Sequence, residues 1–161
     1  MSLAIAVLAF VTLQRLAELA WARRNTARLL QKGAREHAPG HYPLIVAVHT
    51  GWIVGLWWFA WNREVNLYWL ALFLVFQAGR VWALATLGER WTTRIIVLPG
   101  APLVREGPYR FFPHPNYAVV VGEIFTLPAA FGLWIFALVF SALNAIVLFI
   151  RIRAENAALD A

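Results

Sequence analysis

The amino-acid sequence predicts an all-α integral membrane protein with five transmembrane helices, on three observations. Of its 161 residues, 61% are hydrophobic and only 14% are charged, and the mean hydropathy is +0.64. Soluble domains lie nearer half apolar and a quarter charged, and a soluble fold of this size could not bury so much apolar surface. The chain also contains five long apolar stretches, and its basic residues gather in alternate loops.

The five apolar stretches cover residues 2–21, 43–61, 66–87, 117–133 and 134–150. Each approaches the ~20 residues that cross ~30 Å of hydrocarbon. The last two meet at Gly132-Leu133-Trp134 and are expected to form a tight hairpin, whereas a long loop separates the third from the fourth. No composition shift marks a second unit, so residues 1–161 are expected to form a single membrane domain.

The first stretch is interpreted as a membrane span rather than a cleaved signal peptide. It has no basic residue at its start, and Arg15 and Glu18 interrupt its apolar run. A signal peptide has a basic segment followed by an uninterrupted apolar one.

The basic residues predict the orientation in the membrane. Arg63 is the one basic residue in the short loop between the second and third stretches. Eleven basic residues lie in the C-terminal segment and in the two long loops, which follow the first and the third stretches. These eleven are Arg23, Arg24, Arg28, Lys32, Arg35, Arg90, Arg94, Arg105, Arg110, Arg151 and Arg153. The positive-inside rule therefore predicts an external N-terminus, with both long loops and the C-terminus in the cytosol. The net charge of +6 is explained by topology, so no nucleic-acid partner is expected.

Several kinds of site have no support in the sequence. There is no cysteine, which excludes disulfides and thiolate chemistry. No pair of histidines has metal-ligand spacing, so no metal is expected. Glycine-rich nucleotide-binding motifs are absent, and the only serines, Ser2 and Ser141, have no setting for a catalytic triad.

Polar side chains recur at one depth in all five predicted helices, near the cytosolic ends. Charged groups inside a bilayer are costly and usually mark a cavity or a functional site. The sequence therefore predicts a hydrated substrate pocket that opens to the cytosol. Its predicted members are Arg15, Glu18, His49, Arg80 and Glu123, accompanied by Gln77 and Asn144.

Simpler interpretations of the same residues remain open. Arg15 and Glu18 have the spacing of an i,i+3 ion pair on one helix. Arg80 could extend toward the membrane interface, and His49 could be a packing histidine.

The predicted C-terminal helix has a polar face that begins at the depth of the other polar side chains. Asn144, Leu148, Arg151 and Glu155 are spaced by four, three and four residues, which places them on one side of a helix. Arg151 and Glu155 are therefore expected to line the mouth of the pocket.

The loop at residues 88–116 is too long and too rich in turn signals for a simple connector. Pro99-Gly100 and Gly107-Pro108 mark turns, and residues 94–98 predict a short extended segment. Prolines on both sides of His114 restrict the backbone there. Such a rigid, aromatic and basic loop suits a flat heterocycle with a charged tail.

Three motifs resemble the isoprenylcysteine carboxyl methyltransferase family, most closely its small bacterial members. They are Gly107-Pro108-Tyr109-Arg110, His114-Pro115-Asn116-Tyr117 and the segment from Arg151 to Leu159. The resemblance covers about residues 76–160. It implies a five-helix integral membrane enzyme that uses S-adenosylmethionine.

The resemblance also implies roles for individual residues. His114, Tyr117 and Glu155 are expected to hold the cofactor, and Arg151 and Glu155 to serve catalysis. Around them, the expected cofactor-binding positions are Val104, Gly107, Tyr109, Pro115 and Asn116. Two positions depart from the family pattern: Pro113 replaces an arginine, for which Arg110 or Arg151 could substitute, and Asn156 replaces a second glutamate.

The expected function is S-adenosylmethionine-dependent transfer of a methyl group to the carboxylate or acidic hydroxyl of a small lipophilic acceptor. The enzyme is expected to act at the cytosolic leaflet of a bacterial inner membrane, among membrane lipids. The alternative is a small transporter or carrier with a relay through Glu123, His49 and Arg80. The almost wholly apolar outer halves of the helices argue against such a path.

Overall fold

The structure, a computed structural model, describes residues 2–159 and is mostly helical. Its helices are α1 (Leu3–Gln31), α2 (Tyr42–Ala60), α3 (Leu67–Leu87), α4 (Pro115–Ala130) and α5 (Trp134–Leu159). Two short strands, β1 (Arg35–His37) and β2 (Ile95–Val97), lie in the two long loops. One-turn 3-10 helices cover Pro39–His41, Gly88–Arg90 and Gly107–Arg110.

Four helical segments of the described chain are long and apolar enough to cross a membrane. They are Leu3–Gln31, Pro39–Ala60, Leu67–Arg90 and Trp134–Leu159. Helix α4 has only 16 residues, about 24 Å at 1.5 Å per residue, which is less than the ~30 Å apolar layer. The protein is a multi-pass membrane protein, and the fifth crossing stays a prediction.

Helix α4 is the most enclosed helix of the bundle. Eleven of its 16 residues are buried, including Glu123 and Ile124, which have no exposed surface. The fully buried indole of Trp52 on α2 donates to the carbonyl oxygen of Ile124 at 3.3 Å. Side chains of α1, α2, α3 and α4, with the residue that follows α4, form one apolar core around this contact. Its buried members are Ala4, Leu8, Val11, Trp52, Leu56, Ala60, Phe73, Val120, Ile124, Leu127 and Phe131.

The predicted ends of the first and last helices are too early. Helix α1 continues ten residues beyond residue 21, because residues 22–31 contain no proline or glycine. It ends where Gly33 takes φ +91° and the N–H of Ala34 donates to the carbonyl of Leu29 at 3.0 Å, a glycine-terminated cap. Helix α5 likewise continues nine residues beyond residue 150, so Glu155 lies on a regular helix.

The two strands join the two long loops to each other. They pair antiparallel, with Arg35 opposite Val97 and His37 opposite Ile95. The extended segment predicted at residues 94–98 is confirmed as β2, whereas its partner was not predicted because three residues show no strand periodicity. Across this contact, Arg94 donates to Glu36 at 2.7 Å. The structure therefore contains one small sheet that the all-α prediction did not include.

Candidate active site

Two cavities lie at the end of the helix bundle that carries the long loops. The larger, about 960 Å³, is enclosed by the loop between α3 and α4, the start of α4 and the end of α5. The smaller, about 310 Å³, lies deeper and is lined by residues of all five helices. The loop and the helix ends thus form one compartment, and the bundle itself forms the other.

The larger cavity collects most of the residues predicted to hold a cofactor. These are Val104, Tyr109, His114, Asn116, Tyr117 and Glu155, and Arg151 joins them. Burial raises the pKa of the Tyr109 hydroxyl well above its usual range, and the nearby carboxylate of Glu155 adds to the effect. Tyr109 therefore stays a neutral hydroxyl at physiological pH and can donate a hydrogen bond inside this cavity.

His114 closes the contact between the start of α4 and the end of α5. Its ring stacks on the ring of Tyr117, with centroids 5.0 Å apart and planes at 13°. Its Nε2 donates to Oδ1 of Asn156 at 3.3 Å. Asn156, which departs from the family pattern, thus serves as a neutral partner for the histidine.

Tyr117 is the centre of the polar contacts in the site. Its hydroxyl accepts a hydrogen bond from Nε of Arg151 at 2.6 Å and donates to Glu155. Arg151 also donates to the carbonyl oxygen of Thr93 at 2.7 Å, next to β2. Arg151 and Glu155 are therefore brought together through Tyr117, and no direct ion pair joins them within residues 2–159.

Two predicted cofactor residues lie outside the lining of the larger cavity. Gly107 has φ +52°, and a Cβ there would meet the side chain of Thr86 and, at 3.2 Å, the indole nitrogen of Trp82. Its role in the structure is to let the loop pack closely on α3. Pro115 is the buried first residue of α4, a position that suits proline because its missing N–H is not needed there.

The charged residues predicted for the substrate pocket form one closed network. Arg80 donates to both oxygens of Glu18, at 2.7 and 2.6 Å. Glu123 accepts from Arg15 at 2.5 Å, from Arg80 at 3.3 Å and from Gln77 at 3.0 Å. Two guanidinium groups and two carboxylates thus neutralise one another, as buried charges require.

The network changes how these residues are interpreted. Arg80 is 4% exposed and paired, so the interpretation that it extends to the interface is wrong. The Arg15–Glu18 pair is present at 3.4 Å, but as one contact among several. Arg15, Glu18 and Arg80 line the smaller cavity, whereas Glu123 lies behind them and is not part of its surface.

His49 and Asn144 supply further polar groups to the smaller cavity. Nδ1 of His49 lies 2.9 Å from the carbonyl oxygen of Ile45, one helical turn earlier. Asn144 is 1% exposed, and its Oδ1 has no hydrogen-bond partner among the described residues. Buried polar atoms are usually paired, so this oxygen indicates room for a hydrogen-bonding ligand.

The residues of the smaller cavity that sequence reasoning missed include Tyr42, Trp91 and Thr93. Trp91 is 7% exposed, and its indole nitrogen has no hydrogen-bond partner within the described chain. Local sequence offered no signal for it, because a lone tryptophan near a predicted helix end usually marks the membrane interface.

The two cavities share a wall. Trp91, Asn116, Tyr117 and Arg151 line both of them. Asn116 also has an unpartnered buried Oδ1 within residues 2–159. A molecule in each cavity would therefore meet at the same four side chains, which is the arrangement that group transfer between two bound molecules requires.

Comparison with known proteins gives two matches. The model of the isoprenylcysteine carboxyl methyltransferase (ICMT) family matches residues 69–161. A Bacillus subtilis (strain 168) protein named "Uncharacterized protein YpbQ" is 40% identical over 159 residues, which cover 96% of this chain and 95% of that protein. No solved structure matches the chain.

Proposed function

The chain belongs to the isoprenylcysteine carboxyl methyltransferase family, and from this premise we propose that it uses S-adenosylmethionine to methylate a small lipophilic acceptor. The family and the apolar helices make it a multi-pass membrane methyltransferase. The proposal adds the cofactor and the acceptor, whose reacting group is a carboxylate or an acidic hydroxyl.

The observation that carries the proposal is the wall shared by the two cavities. The larger cavity, about 960 Å³, is at the upper end of the range for small-molecule sites and carries most of the polar groups. The smaller cavity, about 310 Å³, is lined mainly by apolar side chains. A soluble nucleoside cofactor suits the first and a lipophilic acceptor suits the second.

The residues of the larger cavity fit S-adenosylmethionine. The indole N–H of Trp91 and Oδ1 of Asn116 are buried and have no partner within the described chain, so they offer one donor and one acceptor to a bound molecule. The Glu155 carboxylate offers an acceptor for ribose hydroxyls or an amino group, and the Tyr109 hydroxyl offers a donor. When bound, the cofactor would supply a methyl group activated by a positively charged sulfur.

The acceptor would enter the smaller cavity from the bilayer. Leu16 on α1 and Val46 and Val54 on α2 line this cavity and are also exposed on the outside of the bundle. Lipid-facing apolar residues that continue into a cavity provide a path for a lipophilic molecule. Arg151, on the shared wall, would then attract an acidic group of the acceptor to the methyl donor.

The chemistry asks the protein mainly for alignment and for exclusion of water. Holding two reactants in line can contribute several kcal/mol to the lowering of the barrier. The hydrogen bonds from Arg151 to Tyr117 and Thr93, at 2.6 and 2.7 Å, hold the shared wall in place. The apolar lining of the smaller cavity excludes water from the acceptor side.

The proposal includes a location and an orientation. In a bacterial inner membrane, with the N-terminus outside and both long loops and the C-terminus in the cytosol, the larger cavity would open to the compartment that contains the soluble cofactor. The single membrane domain, residues 1–161, would then carry the whole activity.

A transporter with an intramembrane relay is the weaker alternative. Arg80 and Glu123, two of its three proposed relay groups, are bonded to each other at 3.3 Å inside a neutral network. A closed network of paired charges stabilises helix contacts but does not present a free carrier group.

The test is cofactor affinity in the purified protein, reconstituted in lipid nanodiscs with a metal chelator present. Calorimetric titration with S-adenosylhomocysteine should give saturable heat, and the melting temperature should rise. A ligand at a hundred times its Kd stabilises the folded state by about 2.7 kcal/mol. Absence of both heat and thermal shift at millimolar ligand would remove the proposal.

A further inference from the structure

We propose that His49 is the general base of the reaction and takes a proton from a hydroxyl group of the acceptor. The inference rests on the proposed function and narrows it. It makes the acceptor a lipophilic phenol or enol, because a carboxylic acid is already ionised at neutral pH and needs no base.

The backbone contact of His49 determines which ring nitrogen can act. A carbonyl oxygen only accepts hydrogen bonds, so the contact at 2.9 Å with the oxygen of Ile45 requires a proton on Nδ1. In the neutral ring, Nε2 then carries a lone pair. No side chain among residues 2–159 forms a hydrogen bond with this Nε2, so it is available to a molecule in the smaller cavity that His49 lines.

The surroundings of His49 favour a hydrogen-bond donor as ligand. Asn144 also lines the smaller cavity, and its buried Oδ1 has no partner in the described chain. Together with Nε2 of His49, this oxygen gives the cavity two hydrogen-bond acceptors that no described residue uses. A hydroxyl group can donate to such atoms, whereas an ionised carboxylate cannot.

The cations around the cavity are largely committed to other partners. Arg15 and Arg80 are bonded to Glu123 and Glu18 in the closed network. The other ionisable groups that line the cavity are Tyr42 on α2, Tyr117 on α4 and Arg151 on α5. Arg151, on the shared wall, is therefore the cation placed to stabilise the oxygen of the acceptor as it loses its proton.

The proposed step balances in atoms and charge. The acceptor hydroxyl gives its proton to Nε2 of His49, which becomes an imidazolium. The hydroxyl oxygen forms a bond to the methyl carbon of a sulfonium donor while the carbon–sulfur bond breaks. The electron pair of the broken bond stays on sulfur, and the donor becomes a neutral thioether. The proton later leaves the imidazolium to water.

The experiment compares two acceptors of equal chain length, para-dodecylphenol and lauric acid, in the parent protein and in His49→Gln. The parent should methylate the phenol. The His49→Gln substitution should lower kcat for the phenol about a hundredfold, which is the lower end of the rate contribution typical of a general base. Affinity for S-adenosylhomocysteine should be unchanged. The matched control is His37→Gln, because His37 lies on β1 and lines neither cavity.

The outcomes separate this inference from the proposed function. Phenol methylation within threefold of the parent in His49→Gln, or methylation of lauric acid but not of the phenol, would overturn the role of His49 alone. A parent protein that methylates neither acceptor and binds no S-adenosylhomocysteine would overturn the proposed function as well.

A second measurement needs no turnover and does not depend on the variant being folded. A long-chain alkyl para-nitrophenol is added to parent protein containing ¹⁵N-labelled histidine, at a pH below the probe's own pKa. Binding should shift the ¹⁵N resonance of Nε2 in one of the four histidines, because the hydroxyl group of the probe donates a hydrogen bond to the lone pair of that nitrogen. Saturated binding without this shift would contradict the proposal.

Discussion

The hydroxyl of Tyr117 joins three segments that are distant in sequence. It accepts from Arg151 and donates to Glu155, and Arg151 in turn reaches the carbonyl of Thr93 beside β2. One side chain therefore connects α4, α5 and the long loop at the wall between the cavities. The orientation of Glu155 toward the larger cavity depends on this contact.

Substitution of Glu155 by glutamine keeps the size of the side chain and removes its charge. We expect affinity for S-adenosylhomocysteine to fall about ten- to a hundredfold, because loss of a charge-assisted hydrogen bond typically costs ~1.5–3 kcal/mol. Calorimetric titration measures the effect. Glu64→Gln is the control, since Glu64 is exposed in the loop between α2 and α3 and lines neither cavity.

The assignment of Glu155 would be wrong if both variants bound the cofactor product as tightly as the parent. A surface residue at the end of a helix tolerates the change, because its side chain contacts only solvent.

At the scale of helices, the charge network holds three of them together. Glu18 lies on α1, Arg80 on α3 and Glu123 on α4, and each carboxylate contacts at least one guanidinium from another helix. The network is extended by a hydrogen bond from Gln14 on α1 to Gln77 on α3, at 2.7 Å. It therefore sets the rotation of each helix, because a turned helix would leave a charge unpaired in a low-dielectric interior.

Glu123→Gln tests this role. We expect the variant to lose ~3–5 kcal/mol of stability, because removing one partner of a buried pair leaves an uncompensated charge. Unfolding in detergent micelles, followed by circular dichroism, measures the change. Glu89→Gln is the matched control: Glu89 pairs with Lys32 at 3.2 Å, but both side chains are largely exposed, so its unfolding midpoint should not change.

Equal unfolding midpoints for the two variants would show that the buried network contributes no more than a surface pair. The role of the network in setting helix rotation would then be lost, although the description of its contacts would stand.

At the scale of the whole molecule, the basic residues and the two cavities point to the same side of the membrane. The loop between α3 and α4, which encloses the larger cavity, carries four of the eleven basic residues used to predict the orientation. The side of the protein that contains the larger cavity is therefore also its predicted cytosolic side.

Reporter fusions test this orientation. We expect cytosolic signals from reporters fused after Ala161 or inserted at Gly33, which lies in the exposed turn after α1. A reporter beside Arg63 should give an external signal. An external C-terminus would contradict both the five-span prediction and cytosolic access to the larger cavity.

The sequence alone was enough to determine the membrane character, the approximate positions of the helices and the family. Composition and apolar length are local properties, so α2 and α3 agree with their predicted bounds within one residue. The motif residues His114 and Tyr117 were recognisable because the family spacing is local too. Asn156 was noted as a departure, but its contact with His114 could not be foreseen.

The tertiary structure alone decided how the charged residues pair in a closed network and which polar residues line a cavity. Arg80 and Glu123 were predicted together with His49 as pocket residues because all lie at one depth, but depth does not define which face of a helix meets which neighbour. Trp91 and Arg151 are 60 positions apart in the chain, yet they share the wall between the two cavities. Such contacts depend on helix rotation and loop packing, which arise from the simultaneous burial of many side chains rather than from any local pattern.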